Sequence, residues 1–519
     1  MKVRLLHRDQ AFDPAVPLPA NSGDLATDLE LPTLLDAMSG GEEFLRDVCE
    51  KVLLTRAGDP EAIRYRQHVL ADCMAEPAVI RELYDTAVST LQEKRRAWGF
   101  LSSHEPSSVL SAAISQLEIL VAGLRRLRRL ADEHVGKFSS DGLTALFRTL
   151  RLDLDDAYFE DLDRHLEQMR FPAGELISAQ LGRDNSGINY VLRSGRTRRK
   201  LSEYVGRAPR TVYSFMTSPR DDAGALAEMT NRGTNLVANA AAQSADHITS
   251  YFTLLGAELG FYVGCLNLRD QLAAAGQPMT FPEPAPLAAG IFGCSDLRDP
   301  CLALRTGHVV GNEFDADGKM LIMITGANSG GKTTFLRSLG LGQLMMQAGM
   351  FVTASAFRAS VSSGVFTHFL REEDPAMISG RLDEELGRLS VIADQIRPGC
   401  LVLFNESFAA TNEREGSEIG RQVVTALLES GIKVAFVTHH FDLADRFRRQ
   451  DTHPVLFLRA PRQPDGRRDF KLVPAPPLPT SYGADIYHRI GGWLDERSGD
   501  ERGRPAGEAL PGRPGDSGA

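Results

Sequence analysis

No C-x-x-C pair occurs among the six cysteines, Cys49, Cys73, Cys265, Cys294, Cys301 and Cys400, which are scattered over 519 residues. Spacing of that kind supports neither a disulfide framework nor a cysteine-rich zinc site, and reads as reduced, buried thiols. Long apolar runs are missing as well. The longest, Tyr251 to Leu268, is interrupted by Glu258 and Asn267, and nothing reaches the ~18 uninterrupted apolar residues of a membrane span. The opening MKVRLLHRDQAFDPAVPLP has no apolar core of signal-peptide length, so the expected location is cytoplasmic, with no membrane partner. An excess of positive charge is absent too: 58 Lys and Arg stand against 68 Asp and Glu, a net charge of −10. Any contact with nucleic acid must then come from a local basic patch, and must weaken with salt.

What is present divides the chain by texture. The first half has mainly helical period, and from about residue 290 short β-rich runs alternate with helical ones. Asp59-Pro60-Glu61 predicts a helix start, with Asp as N-cap and Pro in the first turn. Leu110, Ile114, Leu117, Val121, Leu124, Leu127 and Leu130 recur at steps of three or four and predict one long amphipathic helix. Arg125, Arg126, Arg128 and Arg129 near its end read as a solvated face suited to the helix C-terminus, or as contact with an acidic partner. Runs around 175–178 and 188–192 predict a β-hairpin. Between residues 183 and 220, nine Arg and Lys residues face only Asp184 and Glu203. Among them, Arg193, Arg196, Arg198, Arg199, Lys200, Arg207 and Arg210 are the candidates for phosphate-backbone contact. Helical pattern resumes from Ala225 to about Ala275. Pro and small residues crowd 277–290 and read as a linker, and 495–519 is a Gly, Pro and charge-rich tail too poor in apolar side chains to order itself.

The sharpest motif is Gly326-Ala-Asn-Ser-Gly-Gly-Lys-Thr333, which fits the phosphate-loop pattern G-x-x-x-x-G-K-[ST] between a strand-like run, Leu321 to Thr325, and a helical one from Thr334. Gly326, Asn328, Ser329, Gly330, Gly331 and Thr334 are expected to wrap the phosphates of a nucleotide. Lys332 would reach its β- and γ-phosphates, and Thr333 would offer a hydroxyl to Mg²⁺. A second apolar strand, Cys400 to Phe404, ends in Asn405-Glu406. A Walker B element needs an acid at each of these places, the first helping to hold Mg²⁺ and the second polarising the attacking water. Here the first is Asn405, and one formal charge fewer at ~4 Å removes about 1–4 kcal/mol of attraction for the metal. Glu406 stays as the candidate general base. A third strand, Lys433 to Val437, runs into Thr438-His439-His440, where His439 is placed to sense the γ-phosphate and orient water.

These elements resemble the ATPase domain of the MutS mismatch-repair family, a branch of the ABC-type ATPases, from about Leu302 to Gly492. The family's TGPNMGGKST is matched by Thr325 to Thr334. Its DEIGRGTSTYDG is matched in length by Asn405 to Gly416, keeping Glu406, Thr411 and Gly416, and its ATHYFEL by Val437 to Leu443. The signature S-T-F-x-x-E-M resembles Ser379 to Glu385 and points to Ser379 and Glu384, which the family uses across a dimer. Gly307 to Asn312 resembles the adenine-contacting loop, with Asn312 the clearest match, and Ser481-Tyr482-Gly483 a short motif after the final strands. In the first half, Leu34-Leu-Asp36 and Asp59 to Gln67 resemble the opening of the family's core and lever.

The resemblance implies an α/β P-loop NTPase domain of the ABC type preceded by a mostly α-helical core and lever domain with a small basic β excursion. The expected boundaries are an N-terminal extension 1–28, helical core 29–276 with the excursion at 183–220, linker 277–290, ATPase domain 291–494 and tail 495–519. It further implies ATP and Mg²⁺ as cofactors, homodimerisation through the ATPase domain, and DNA as partner, held mainly by its phosphates. Mismatch-reading members carry a Phe-x-Glu wedge in an N-terminal module. The F-x-E triplets here, Phe281 to Glu283 and Phe404 to Glu406, fall elsewhere, so base-specific reading of a mispair is not expected. The alternative is a nucleotide-gated protein-interaction module with slow or no hydrolysis. A small-molecule kinase is disfavoured by the ABC-type order of the elements.

Overall fold

The computed structural model describes residues 2–55, 57–98, 106–170, 176–181, 187–193, 223–371, 380–450, 452–461 and 468–479. Two units divide the chain: one takes residues 1–289, 300–309 and 341–361, and the other takes 290–299, 310–340 and 362–519. The first unit is therefore assembled from three separate stretches, where the sequence suggested one boundary at 277–290.

Elements are numbered in chain order. The first unit is built on α1 (Ser22–Asp28), α2 (Leu31–Ser39), α3 (Glu43–Leu54), α4 (Pro60–Ala75), α5 (Pro77–Trp98), α6 (Pro106–Glu133), α7 (Asp141–Asp153), α8 (Asp156–Met169) and the long α9 (Ala223–Ala274). Helix α4 begins as its sequence predicts: the Asp59 carboxylate accepts from the Ala62 N–H at 2.8 Å, and Pro60 fills the first turn, where its missing donor costs nothing. The seven-residue stripe of α6 is buried throughout. Gly123, on the same helix, lets α5 come close, since a Cβ there would sit 2.5 Å from Thr90 Oγ1. By length and composition α6 and α9 would both pass for membrane spans, and most of the apolar stretch of α9 is buried within the protein. Three of the four arginines at the end of α6 have partners inside this unit: Arg125 pairs with Asp163, Arg126 with Glu93 and Arg128 with Asp132.

The antiparallel hairpin β1 (Leu176–Leu181) and β2 (Gly187–Arg193) interrupts the helices where expected, with Leu176 opposite Arg193. The expected linker is folded. Strand β3 (Glu283–Ala285) pairs in parallel with β7 (Ala356–Ser360), and the carbonyls of Pro282 and Pro284 accept from Gln67 and Arg64 of α4. Proline suits this place because β3 is short and a proline carbonyl still accepts a hydrogen bond.

The N-terminal residues are also bound into this unit. Val3, Leu5 and Leu6 are fully buried, and Glu258, the acid that breaks the apolar run of α9, accepts from the backbone N–H groups of Leu5, Leu6 and Phe12. Beside it the buried Arg66 donates to the Leu6 carbonyl at 2.8 Å and to His7 Nε2 at 3.2 Å. Burial first, and Arg66 second, push the His7 imidazole down to about 4. His7 is thus neutral when folded, and protonation opposes folding. Stability is expected to be full above the unfolded value of about 6.5 and to fall as pH drops from there towards 4. Denaturation of the wild type and His7→Gln across pH 4–7.5 checks this; equal slopes for the two would refute it.

The second unit holds a six-stranded sheet in the order β12 (Val473–Pro474), β11 (Val455–Ala460), β6 (Leu321–Gly326), β10 (Lys433–Val437), β9 (Leu401–Asn405) and β8 (Val365–Phe369). All neighbours are parallel except β12 on β11. The middle strands are apolar almost without alternation, as strands covered on both faces must be. Helices α11 (Lys332–Ala348), α12 (Arg381–Gln395), α13 (Glu413–Glu429) and α14 (Phe441–Gln450) follow β6, β8, β9 and β10. A buried cluster including Met323, Phe404, Phe436, Val424 and Leu443 forms the core. Strand β4 (Phe292–Leu297) pairs antiparallel with β5 (Asn312–Asp315), and α10 (Pro300–Thr306) belongs to the first unit. The architecture is a mixed α/β unit together with a helical one. The carboxyl ends of β6, β9 and β10 converge, which in an open α/β sheet is where a ligand crevice forms.

Candidate functional site

The loop between β6 and α11 turns on three residues with positive φ: Gly326 at 107°, Ser329 at 57° and Gly331 at 85°. Two glycines are needed for space as well. A Cβ on Gly326 would lie 2.4 Å from the Ala460 carbonyl, and one on Gly330 would lie 2.7 Å from the Ala460 methyl. The end of β11 thus packs against the loop, and the Ala327 N–H donates to the Ala460 carbonyl at 3.2 Å. Lys332 is buried, and its ammonium donates to the carbonyls of Gly326 at 3.0 Å and Ala327 at 3.2 Å. Burial lowers its pKa, Glu406 opposes that shift, and Arg468 adds to it.

Residues more than seventy positions apart meet here. The Thr333 hydroxyl donates to Asn405 Oδ1 at 3.0 Å, so the first turn of α11 and the end of β9 present two oxygens side by side. Next to Asn405, Glu406 takes a left-handed φ of 54° while its N–H donates to the Val437 carbonyl of β10. Its carboxylate lies 3.8 Å from His439 Nδ1, longer than a hydrogen bond. His439, ahead of a smaller contribution from Lys332, holds the Glu406 carboxyl below its usual range against the opposing effect of burial. The acid is therefore ionised at neutral pH. Thr334 is half-buried in the first turn of α11, and Ser329 is exposed at the loop tip.

Other expected residues are placed differently. The side-chain amide of Asn312 is engaged at both ends: Nδ2 donates to the Phe470 carbonyl at 3.1 Å, and Oδ1 accepts from the Leu472 N–H at 2.7 Å. In the first turns of α12, Glu385, next to the expected Glu384, reaches the turn that follows β9 and accepts from the Phe408 N–H at 2.7 Å. Burial raises the Glu385 carboxyl, with this hydrogen bond opposing it. His368 of β8 joins the same group: its Nε2 lies 3.0 Å from the Glu385 carbonyl and its Nδ1 2.7 Å from the Ser407 hydroxyl. Glu385, Leu389 and Ile392 fall on one face of α12, and the latter two pack on the core. Nothing in the sequence signalled His368, Ser407, Ala460 or Arg468. Ser379, Arg196, Arg198, Arg199, Lys200, Arg207, Arg210 and Ser481 to Gly483 lie outside the described residues, and so does the tail. Arg193 closes strand β2.

Two stretches of the chain match known families. Residues 58–275 match the family described as the MutS2 N-terminal domain, and residues 322–489 match MutS domain V. The chain belongs to the MutS family. Among its MutS relatives are the protein named endonuclease MutS2 of Carboxydothermus hydrogenoformans, 30% identical over 159 residues, or 30% of this chain and 20% of the relative. The DNA mismatch repair protein MutS of Thermotoga sp. strain RQ2 is 32% identical over 149 residues, 28% of this chain and 19% of its own. The endonuclease MutS2 of Lacticaseibacillus casei is 35% identical over 150 residues, again 28% and 19%. The aligned stretch spans about a fifth of each of these MutS relatives.

Proposed function

We propose that the chain is a MutS-type ATPase that couples ATP binding and hydrolysis to DNA binding, works as a cytoplasmic homodimer, and serves DNA repair or recombination. The observation that carries this reading is the junction of three strand ends: Thr333 on Asn405 at 3.0 Å and Glu406 beside His439 at 3.8 Å, next to the Lys332 loop. Loop amides and the N-terminus of α11 favour phosphate. Lys332 would exchange its loop carbonyls for phosphate oxygens, Glu406 would take a proton from the attacking water, and His439 would hold Glu406 and that water in line. The Thr333 hydroxyl and the Asn405 carbonyl are hard oxygen donors of the kind Mg²⁺ takes. Two such donors leave most of the shell to waters and phosphate oxygens, as suits an ion that arrives with the nucleotide. When bound, it would neutralise phosphate charge. Ser379 and Glu384 of one copy are assigned to ATP on its partner, and Arg193 to Arg210 to the DNA backbone.

Steady-state ATP hydrolysis with homoduplex, mismatched, branched and single-stranded DNA, at two salt concentrations, tests the coupling. We expect stimulation by one DNA form, weaker at high salt. ATP binding with no response to any DNA would favour the nucleotide-gated protein-interaction module, the reading that Asn405 in the metal position supports. In the same assay Asn405→Asp should lower the Mg²⁺ concentration needed for half-maximal turnover. An unchanged requirement would remove Asn405 from the metal's surroundings.

A further inference from the structure

The segment that follows β11 contributes a cation to the phosphate loop that no motif assigns. The half-buried Arg468 brings Nε to 3.4 Å from the Asn328 carbonyl. Two residues on, Phe470 lies over the loop, its ring 3.6 Å from where a Gly331 Cβ would stand. Phe470 has a left-handed φ of 57° and is 47% exposed. That conformation is uncommon for a bulky side chain and persists only where its surroundings hold it. Asn312 does so, bonding the Phe470 carbonyl on one side and the Leu472 N–H on the other.

The electrostatics give this arrangement a direction. The charges that act on the Lys332 ammonium are Glu406, which favours it, and Arg468, which opposes it. Two cations held against one five-residue loop repel each other, and a polyanion between them turns that cost into attraction. A guanidinium is well matched to the task, because it presents several fixed donors to phosphate oxygens. We infer that Arg468 is a second phosphate-binding residue of this site, and that Asn312 is the positioning residue which fixes it there through the turn at Phe470. The inference rests on the nucleotide reading above and deepens it. It also gives Asn312 a task other than reading the adenine ring.

Titration of the full chain with a fluorescent ATP analogue carrying an N-methylanthraniloyl group tests both assignments, with thermal melts confirming that each variant folds. Arg468→Ala should weaken binding at least tenfold, and Arg468→Lys should recover part of the loss. Asn312→Ala should weaken ATP and GTP by the same factor, as expected of a residue that acts through the phosphates. Wild-type affinity in Arg468→Ala, alongside a large loss in Lys332→Ala, would overturn this assignment and leave the nucleotide reading standing. Absence of binding by the unaltered chain would remove both. A change in the ATP to GTP preference of Asn312→Ala, with GTP affinity kept, would return Asn312 to the base.

Discussion

Replacing Glu406 by Gln is expected to leave ATP binding intact and slow hydrolysis by about 100-fold, the lower end of what a positioned general base contributes. The substitution keeps the shape and the left-handed turn after β9 but removes the proton acceptor. The native carboxyl is held below its usual range chiefly by His439, so it is ready as a base throughout the neutral range. Single-turnover hydrolysis measured beside nucleotide affinity separates the two effects. If the variant hydrolyses at the wild-type rate, Glu406 is not the base. If binding falls together with the rate, its charge serves the Lys332 loop instead.

Glu258→Ala should be the most damaging change away from the nucleotide site. It would strand three backbone donors, those of Leu5, Leu6 and Phe12, with no acceptor, and each buried donor left unpaired costs about 1–3 kcal/mol. A total of about 3–9 kcal/mol is a large part of the 5–15 kcal/mol that typically holds a domain together. The first unit should then unfold at clearly lower denaturant concentration, with early proteolysis near residues 2–12. Glu258→Gln keeps one carbonyl oxygen and should lose less. Unchanged denaturation of the alanine variant would show that the N-terminal segment contributes little to this unit.

Much of the architecture was legible because it rests on local rules. The Asp59 cap, the apolar stripe of α6, the hairpin around residues 176–193 and the strands at 321–326, 401–405 and 433–437 each announce themselves within one or two turns of sequence. Glu258 and Asn267 were legible only as interruptions of an apolar run. Their partners, the N-terminal backbone for the first and the Met38 carbonyl for the second, lie more than two hundred residues away. The order within the linker at 277–290 was hidden for a related reason. Its prolines do break local structure, but β7 supplies a parallel neighbour and α4 supplies side-chain donors, and neither is visible in the segment itself.

The sequence by itself determined the chemistry: a phosphate loop, a strand ending in Asn405-Glu406 and a strand ending before His439, because chain-local spacing sets which side chains stand at a strand end. Only the tertiary structure decided which groups meet. It joined Thr333 to Asn405, set Glu385 on the Phe408 backbone, engaged Asn312 with the Phe470 turn, and packed Ala460 and Arg468 against the loop. Those choices depend on strand order, with β11 beside β6 and β9 two places away. Strand order is fixed by how whole elements bury their faces rather than by any short run of residues.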